Sequence, residues 1–180
     1  YDLHEIVRKE NGGAVLVAEQ YRKWVVTTPI TGPNGSVTYT HTYHYVYNDI
    51  IVVSISASGD IVWSTTIPKR QHTQNDLGSY SSYAMEVKGD KLYFIFNDTG
   101  ENLFLKPGDK VKQFELKGKD ALVTIATVDG EGNVTREALF SPERREAILK
   151  PNDCAQLSND QMLIYATRKK EYRFGLVSFK

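Results

Sequence analysis

The chain has 180 residues, which suits one domain with a substantial core. Lys+Arg and Asp+Glu each total 22, so the formal net charge is zero and the basic footprint of a nucleic-acid binder is missing. No run approaches the roughly 18 apolar residues of a membrane-spanning helix. The lone Cys154 has no partner for an internal disulfide and no Cys or His at metal-ligand spacing; it reads as a small buried hydrophobe, with a thiol nucleophile as the alternative.

Tyr, Phe and Trp among many Val, Ile and Thr favour strands. The turn sets Asn11-Gly12-Gly13, Asn34-Gly35, Ser58-Gly59-Asp60, Lys88-Gly89-Asp90 and Glu131-Gly132-Asn133 separate short apolar runs. After the run A-V-L-V-A at Ala14, a long hairpin is expected at about 20–48. Its arms are A-E-Q-Y-R-K-W-V-V-T-T-P-I and S-V-T-Y-T-H-T-Y-H-Y-V-Y, joined by T-G-P-N-G. Period two puts Val37, Tyr39, His41, Tyr43, Tyr45 and Tyr47 on one face of the second arm, and Thr38, Thr40, Thr42 and His44 on the other. That separates His41 from His44 and argues against a metal pair there. A Pro33-Asn34 turn would set Trp24 near Tyr43 and Val26 near His41. The aromatic face either covers its own domain or meets a partner.

A hairpin follows over 49–68, with Ile61, Trp63, Thr65 and Ile67 on one face. The segment 69–82 reads as a polar loop. Further hairpins span 83–96 and 122–140, and the last pairs 162–166 with 174–179 around R-K-K-E. Only 141–149 looks helical, with Ser141 as N-cap and Pro142 at the first position. The total is roughly ten to twelve strands.

The hairpins resemble one another. I-I-V-V-S-I-S-A-S-G-D-I-V superposes without gaps on V-T-I-A-T-V-D-G-E-G-N-V-T, aligning Ile55 with Val128 and Gly59 with Gly132. The strands A-V-L-V-A, L-Y-F-I-F and M-L-I-Y-A stack likewise on Ala14, Leu92 and Met162. The expected fold is a single all-β domain over 1–180 of antiparallel four-stranded repeats, β-propeller-like, with about three blades. A closed propeller needs about four or more. The repeats are therefore incomplete or part of a larger assembly, or else they form a β-sandwich or barrel. The start at Tyr1 rather than Met reads as a processed or truncated product.

The order N-D-I-I-V-V-S-I, I-P-K-R-Q, S-S-Y-A-M and K-L-Y-F-I-F-N-D resembles the C-terminal region of uncharacterised exported proteins of Bacteroidota-type bacteria. The resemblance covers most of the chain. It implies a periplasmic, outer-membrane-associated or extracellular setting, and it carries over no catalytic residue.

No G-x-S-x-G elbow, P-loop or G-x-G-x-x-G is present, so no catalytic residue, metal ligand or cofactor is expected. Five Asn-Asp pairs read as turn formers, with Asp49 and Asp98 the best placed for calcium. The binding kit is Trp24, Tyr39, His41, Tyr43 and Tyr45 on the hairpin, with Arg70, Gln71 and Tyr80 from the polar loop. The expected function is a non-enzymatic binding domain of the envelope or secreted space. Its partner is another envelope or extracellular protein, or the rest of its own parent chain. A carbohydrate-binding module is the alternative, and a hydrolase with acids from separate loops is the third class.

Overall fold

The computed structural model describes residues 1–106, 108–116, 118–140, 148–158, 160–168 and 171–179. Within them the regular structure is β, with short 3-10 turns at Gly100–Asn102 and Pro151–Asp153. The expected helix cap at 141–144 and the R-K-K-E turn residues 169 and 170 lie outside the described residues.

The first sheet holds β1 (Asp2–Arg8), β2 (Ala14–Thr31), β3 (Val37–Ile55), β4 (Ile61–Ile67) and β5 (Gln71–Gln74). Residues 50–55 of β3 pair with β4 and residues 44–47 pair with β5, so both strands share one edge of β3. The middle sheet is a four-stranded meander of β6 (Ala84–Lys88), β7 (Lys91–Thr99), β8 (Ala121–Val128) and β9 (Val134–Ala138). In the third sheet, β10 (Ile148–Leu149) and β11 (Ala155–Ser158) share one edge of β12 (Gln161–Arg168). β13 (Glu171–Ser178) takes the other edge of β12. Among the described residues, every pair of these strands is antiparallel, and no sheet closes into a barrel.

Two apolar layers join the sheets. Val15, Val17, Ile50, Val52 and Ile67 of the first sheet meet Leu92, Phe94, Phe96, Ala126 and Val128 of the middle one. On the other side Tyr93, Ile95, Val123 and Ile125 meet Leu149, Met162 and Ile164 of the third. The middle sheet is thus covered on both faces. That is why β7 and β8 read as near-continuous apolar runs, whereas the flanking strands alternate. The repeat read in sequence has a structural counterpart. The matched hairpins are β3–β4 and β8–β9, and Ala14, Leu92 and Met162 fall at the first or second residue of β2, β7 and β12.

One turn chemistry recurs. At 9–13, 32–36, 56–60 and 129–133 the first residue's N–H donates to the carbonyl four residues on. A glycine three residues after the first donates back to its carbonyl. Those glycines have φ between +76° and +93°, the backbone of a type I turn with a glycine bulge.

The bulge corrects the hairpin register. Gly32 pairs with Ser36 around three loop residues rather than two. Trp24 therefore stands opposite His44 and Val26 opposite Thr42, not Tyr43 and His41. A one-residue slip moves every side chain to the other face, so Trp24 leaves the tyrosine side of the hairpin.

Candidate interaction surface

β2 and β3 run on together well past the rest of their sheet. β1 pairs with β2 only up to Glu19, and β5 pairs with β3 only from His44 to Tyr47. Beyond those points the two strands form a ribbon from Val25 to Tyr43, almost all of it exposed.

The base of the ribbon is braced from the side by β5, which lies within the segment expected to be loop. Its Q-H-T-Q sequence has no apolar alternation, and it is ordered by pairing with β3. His72 reaches His44, with Nε2 2.9 Å from Nδ1. The His44 ring stacks on Trp24 at 4.7 Å and 4°, and the Arg22 guanidinium lies 5.1 Å from the indole centroid. Burial, and then the neighbouring His44, pull His72 below its ordinary value. Asn75 holds Tyr43 at the edge, accepting from its N–H through Oδ1 and donating its own N–H to its carbonyl.

Beneath β5 lies a buried polar network. Lys69 is only 1% exposed, and its Nζ sits 2.6 Å from Glu19 Oε1. The ammonium also donates to Gln71 Oε1 at 2.9 Å and to the Tyr47 carbonyl. Ser82 Oγ donates to the second Glu19 oxygen. Gln71 passes the chain on to the Asn97 carbonyl, and the Asn97 side chain exchanges hydrogen bonds with Leu149 and donates to the Tyr80 carbonyl. Burial drives the Lys69 pKa down, against the pull of Glu19. The bonds from Gln71 to Asn97 and from Asn97 to Leu149 cross between sheets, so this network ties the first sheet and the 69–82 segment to the sheets beside them.

The expected binding residues therefore divide. Tyr39, 64% exposed, together with His41 and Tyr43, stands on the free part of the ribbon. Val25, Thr27, Pro29 and Val37 share their face, and His41 is hydrogen-bonded to Thr27 across the strands. Val26 and Ile30 are exposed on the opposite face. Arg70 is exposed but at the base of the ribbon, and Tyr80 is half-buried beside Lys150. Tyr45 and Gln71 are corrections to the expected surface. Both are buried, Tyr45 under β5 pairing and Gln71 in the polar network, where they support the ribbon rather than offer contacts. Trp24 is half-buried and gives a ring face to His44, which removes half of the stacking platform a sugar would need. Sequence reasoning missed the approach of His72 to His44 and the Lys69–Glu19 pair.

The calcium candidates are committed to protein donors. Asp49 Oδ1 accepts from the Lys69 N–H. Asp98 accepts from Thr99 and Asn102 and pairs with Arg136. Among the described residues no three His, Cys, Asp or Glu side chains gather as metal ligands. Cys154 is half-buried, and burial pushes its thiol up, away from thiolate reactivity.

No family model matches the chain, and comparison with curated proteins and with solved structures finds no match.

Proposed function

We propose that the chain is a non-enzymatic protein-binding domain of the bacterial envelope or secreted space. In this reading its three sheets are propeller-like blades, and the ribbon is the part that grips a partner. The observation that carries the reading is the ribbon formed by residues 25–31 of β2 and 37–43 of β3. It exposes Val25, Val26, Ile30, Val37, Tyr39 and Tyr43, and no other described element covers them.

A two-stranded ribbon is marginal in water unless something packs on it. Its two edges also present unpaired backbone N–H and C=O groups, which favour a partner that adds a strand. A polypeptide satisfies both needs at once, by main-chain pairing at an edge and by apolar contact with the exposed Tyr39 and Tyr43. A sugar would satisfy neither edge. The envelope setting rests on the resemblance of the sequence to exported proteins.

The test is capture from an envelope fraction by the wild-type chain and by the double variant Tyr39→Ser, Tyr43→Ser. The expected result is one stoichiometric protein partner lost by the variant while its melting curve stays unchanged. Equal capture by an intact variant would defeat the reading. Quenching of Trp24 fluorescence by an oligosaccharide panel would replace it with the carbohydrate alternative.

A further inference from the structure

Among the described residues, the stack of three sheets ends in two open faces, and both carry apolar clusters. On the outside of the third sheet, Tyr165 packs against Phe174 and Tyr172 at ring distances of 5.1 and 5.9 Å, beside the cross-strand pair Leu163 and Leu176. On the outside of the first sheet lie Ile6, Leu16, Ala18, Ile51, Val53 and Val62.

The repeat makes these two faces a matched pair. Aligning Ala14, Leu92 and Met162 places Val17, Ile95 and Tyr165 at equivalent positions. Val17 packs the first sheet on the middle one, and Ile95 packs the middle sheet on the third. Tyr165 occupies the same place on the open side of the third sheet. The opposite phase gives Leu16, Phe94 and Ile164. Ile164 receives the middle sheet, Phe94 receives the first, and Leu16 faces out. The hairpin match agrees. Val53 is equivalent to Ala126, which lies in the layer between the first and middle sheets, so Val53 stands where a preceding sheet would dock. The fold makes the same contact twice, and its open faces are the two unmatched halves of a third.

We propose that a second copy of this chain docks the outer face of its third sheet on the outer face of the first. The proposal rests on the reading of the sheets as propeller-like blades. A contact between two different faces either closes into a ring or runs on as a chain. Blades close in rings of about four to eight, and two copies supply six sheets, so the expected product is a closed pair with both faces covered.

Light scattering on the chain over a range of concentrations should give a discrete species of twice 20.4 kDa. Val62, 61% exposed on β4, and Phe174, 69% exposed on β13, are sites where a charge can be placed without disturbing the fold. Val62→Glu and Phe174→Glu should each run as monomers. Mixed together they should pair one to one, because the variant at Val62 keeps a normal third sheet and the variant at Phe174 keeps a normal first sheet. Pairing of a face with its own kind gives no such rescue. A monomeric wild type, a variant that still self-associates, or a mixture that stays apart would each overturn the proposal. A ladder of larger oligomers that both variants abolish would support the docking and retire the blade geometry. A monomeric wild type would leave the ribbon's partner untouched, and Tyr39→Ser with Tyr43→Ser should leave the pair intact.

Discussion

Replacing Lys69 by Met tests the buried network directly. Met has a similar length and no charge, so the change removes the ammonium with little loss of packing volume. What it leaves is costly. Glu19 is fully buried and loses the cation 2.6 Å from Oε1, while Gln71 and the Tyr47 carbonyl each lose a donor. Breaking a buried pair from one side costs about 3–5 kcal/mol. With a urea dependence of about 2 kcal/mol per molar, the midpoint should fall by about 1.5–2.5 M. Glu19→Gln in the same background should recover part of that loss, because the stranded charge is then gone. Urea titration of the four proteins of this cycle gives the coupling. A loss below about 1 kcal/mol for Lys69→Met, or losses that simply add, would refute the claim that the pair anchors the first sheet.

The equivalent turn glycines offer a second comparison. Gly59 has φ +93° and open space where a Cβ would go, so Gly59→Ala should cost only the backbone strain of about 1–2 kcal/mol. Gly132 has φ +88° and lies so close to Trp63 that a Cβ would sit 2.8 Å from the ring, so Gly132→Ala should cost about 1–3 kcal/mol more by thermal melts. At the ribbon base, the folded pKa of His72 lies below the ordinary 6.5, through burial first and His44 second. Its contribution to stability is therefore full above that value and is lost as pH falls below it. Wild type should lose more stability than His72→Gln between about pH 7.5 and about pH 5.5, and parallel curves would defeat this reading. Asn97→Ala removes a buried side chain that makes three hydrogen bonds to Tyr80 and Leu149. About 2–4 kcal/mol of stability should go with it in urea, and a loss under about 1 kcal/mol would show that those bonds are replaced.

Period-two alternation made the hairpins at 49–68, 83–96 and 122–140 legible, because each has one wet side or a clear turn. The same alternation carried a second message. Glu19 follows Val15 and Val17 on the inward face of β2, and Lys69 follows Thr65 and Ile67 in the same phase. Two opposite charges at core positions of one sheet are a visible sign of a buried pair. The register of the ribbon was not legible, since Pro33-Asn34 suits both a two-residue turn and a turn with a glycine bulge, and the two differ by one residue. β5 was hidden for another reason. Its order comes from the free edge of β3, and no local pattern in Q-H-T-Q announces that edge. The site residues follow the same division: exposure of Tyr39 and Tyr43 and burial of Tyr45 depend on where β5 stops.

Each sheet is drawn from one unbroken stretch of chain: the first is finished by Gln74, the middle begins at Ala84, and the third begins at Ile148. A ribosome therefore delivers them one at a time. The first sheet can assemble while the middle one is still inside the exit tunnel, and it offers an apolar face for β7 and β8 to land on. Those two strands are buried on both faces in the finished fold, so until both neighbours are in place they expose apolar surface to water. From about 128 until the third sheet arrives, one of their faces waits uncovered. Synthesis paused in that interval should yield the nascent chain most in need of a chaperone, and trimming the third sheet from the finished protein should recreate it.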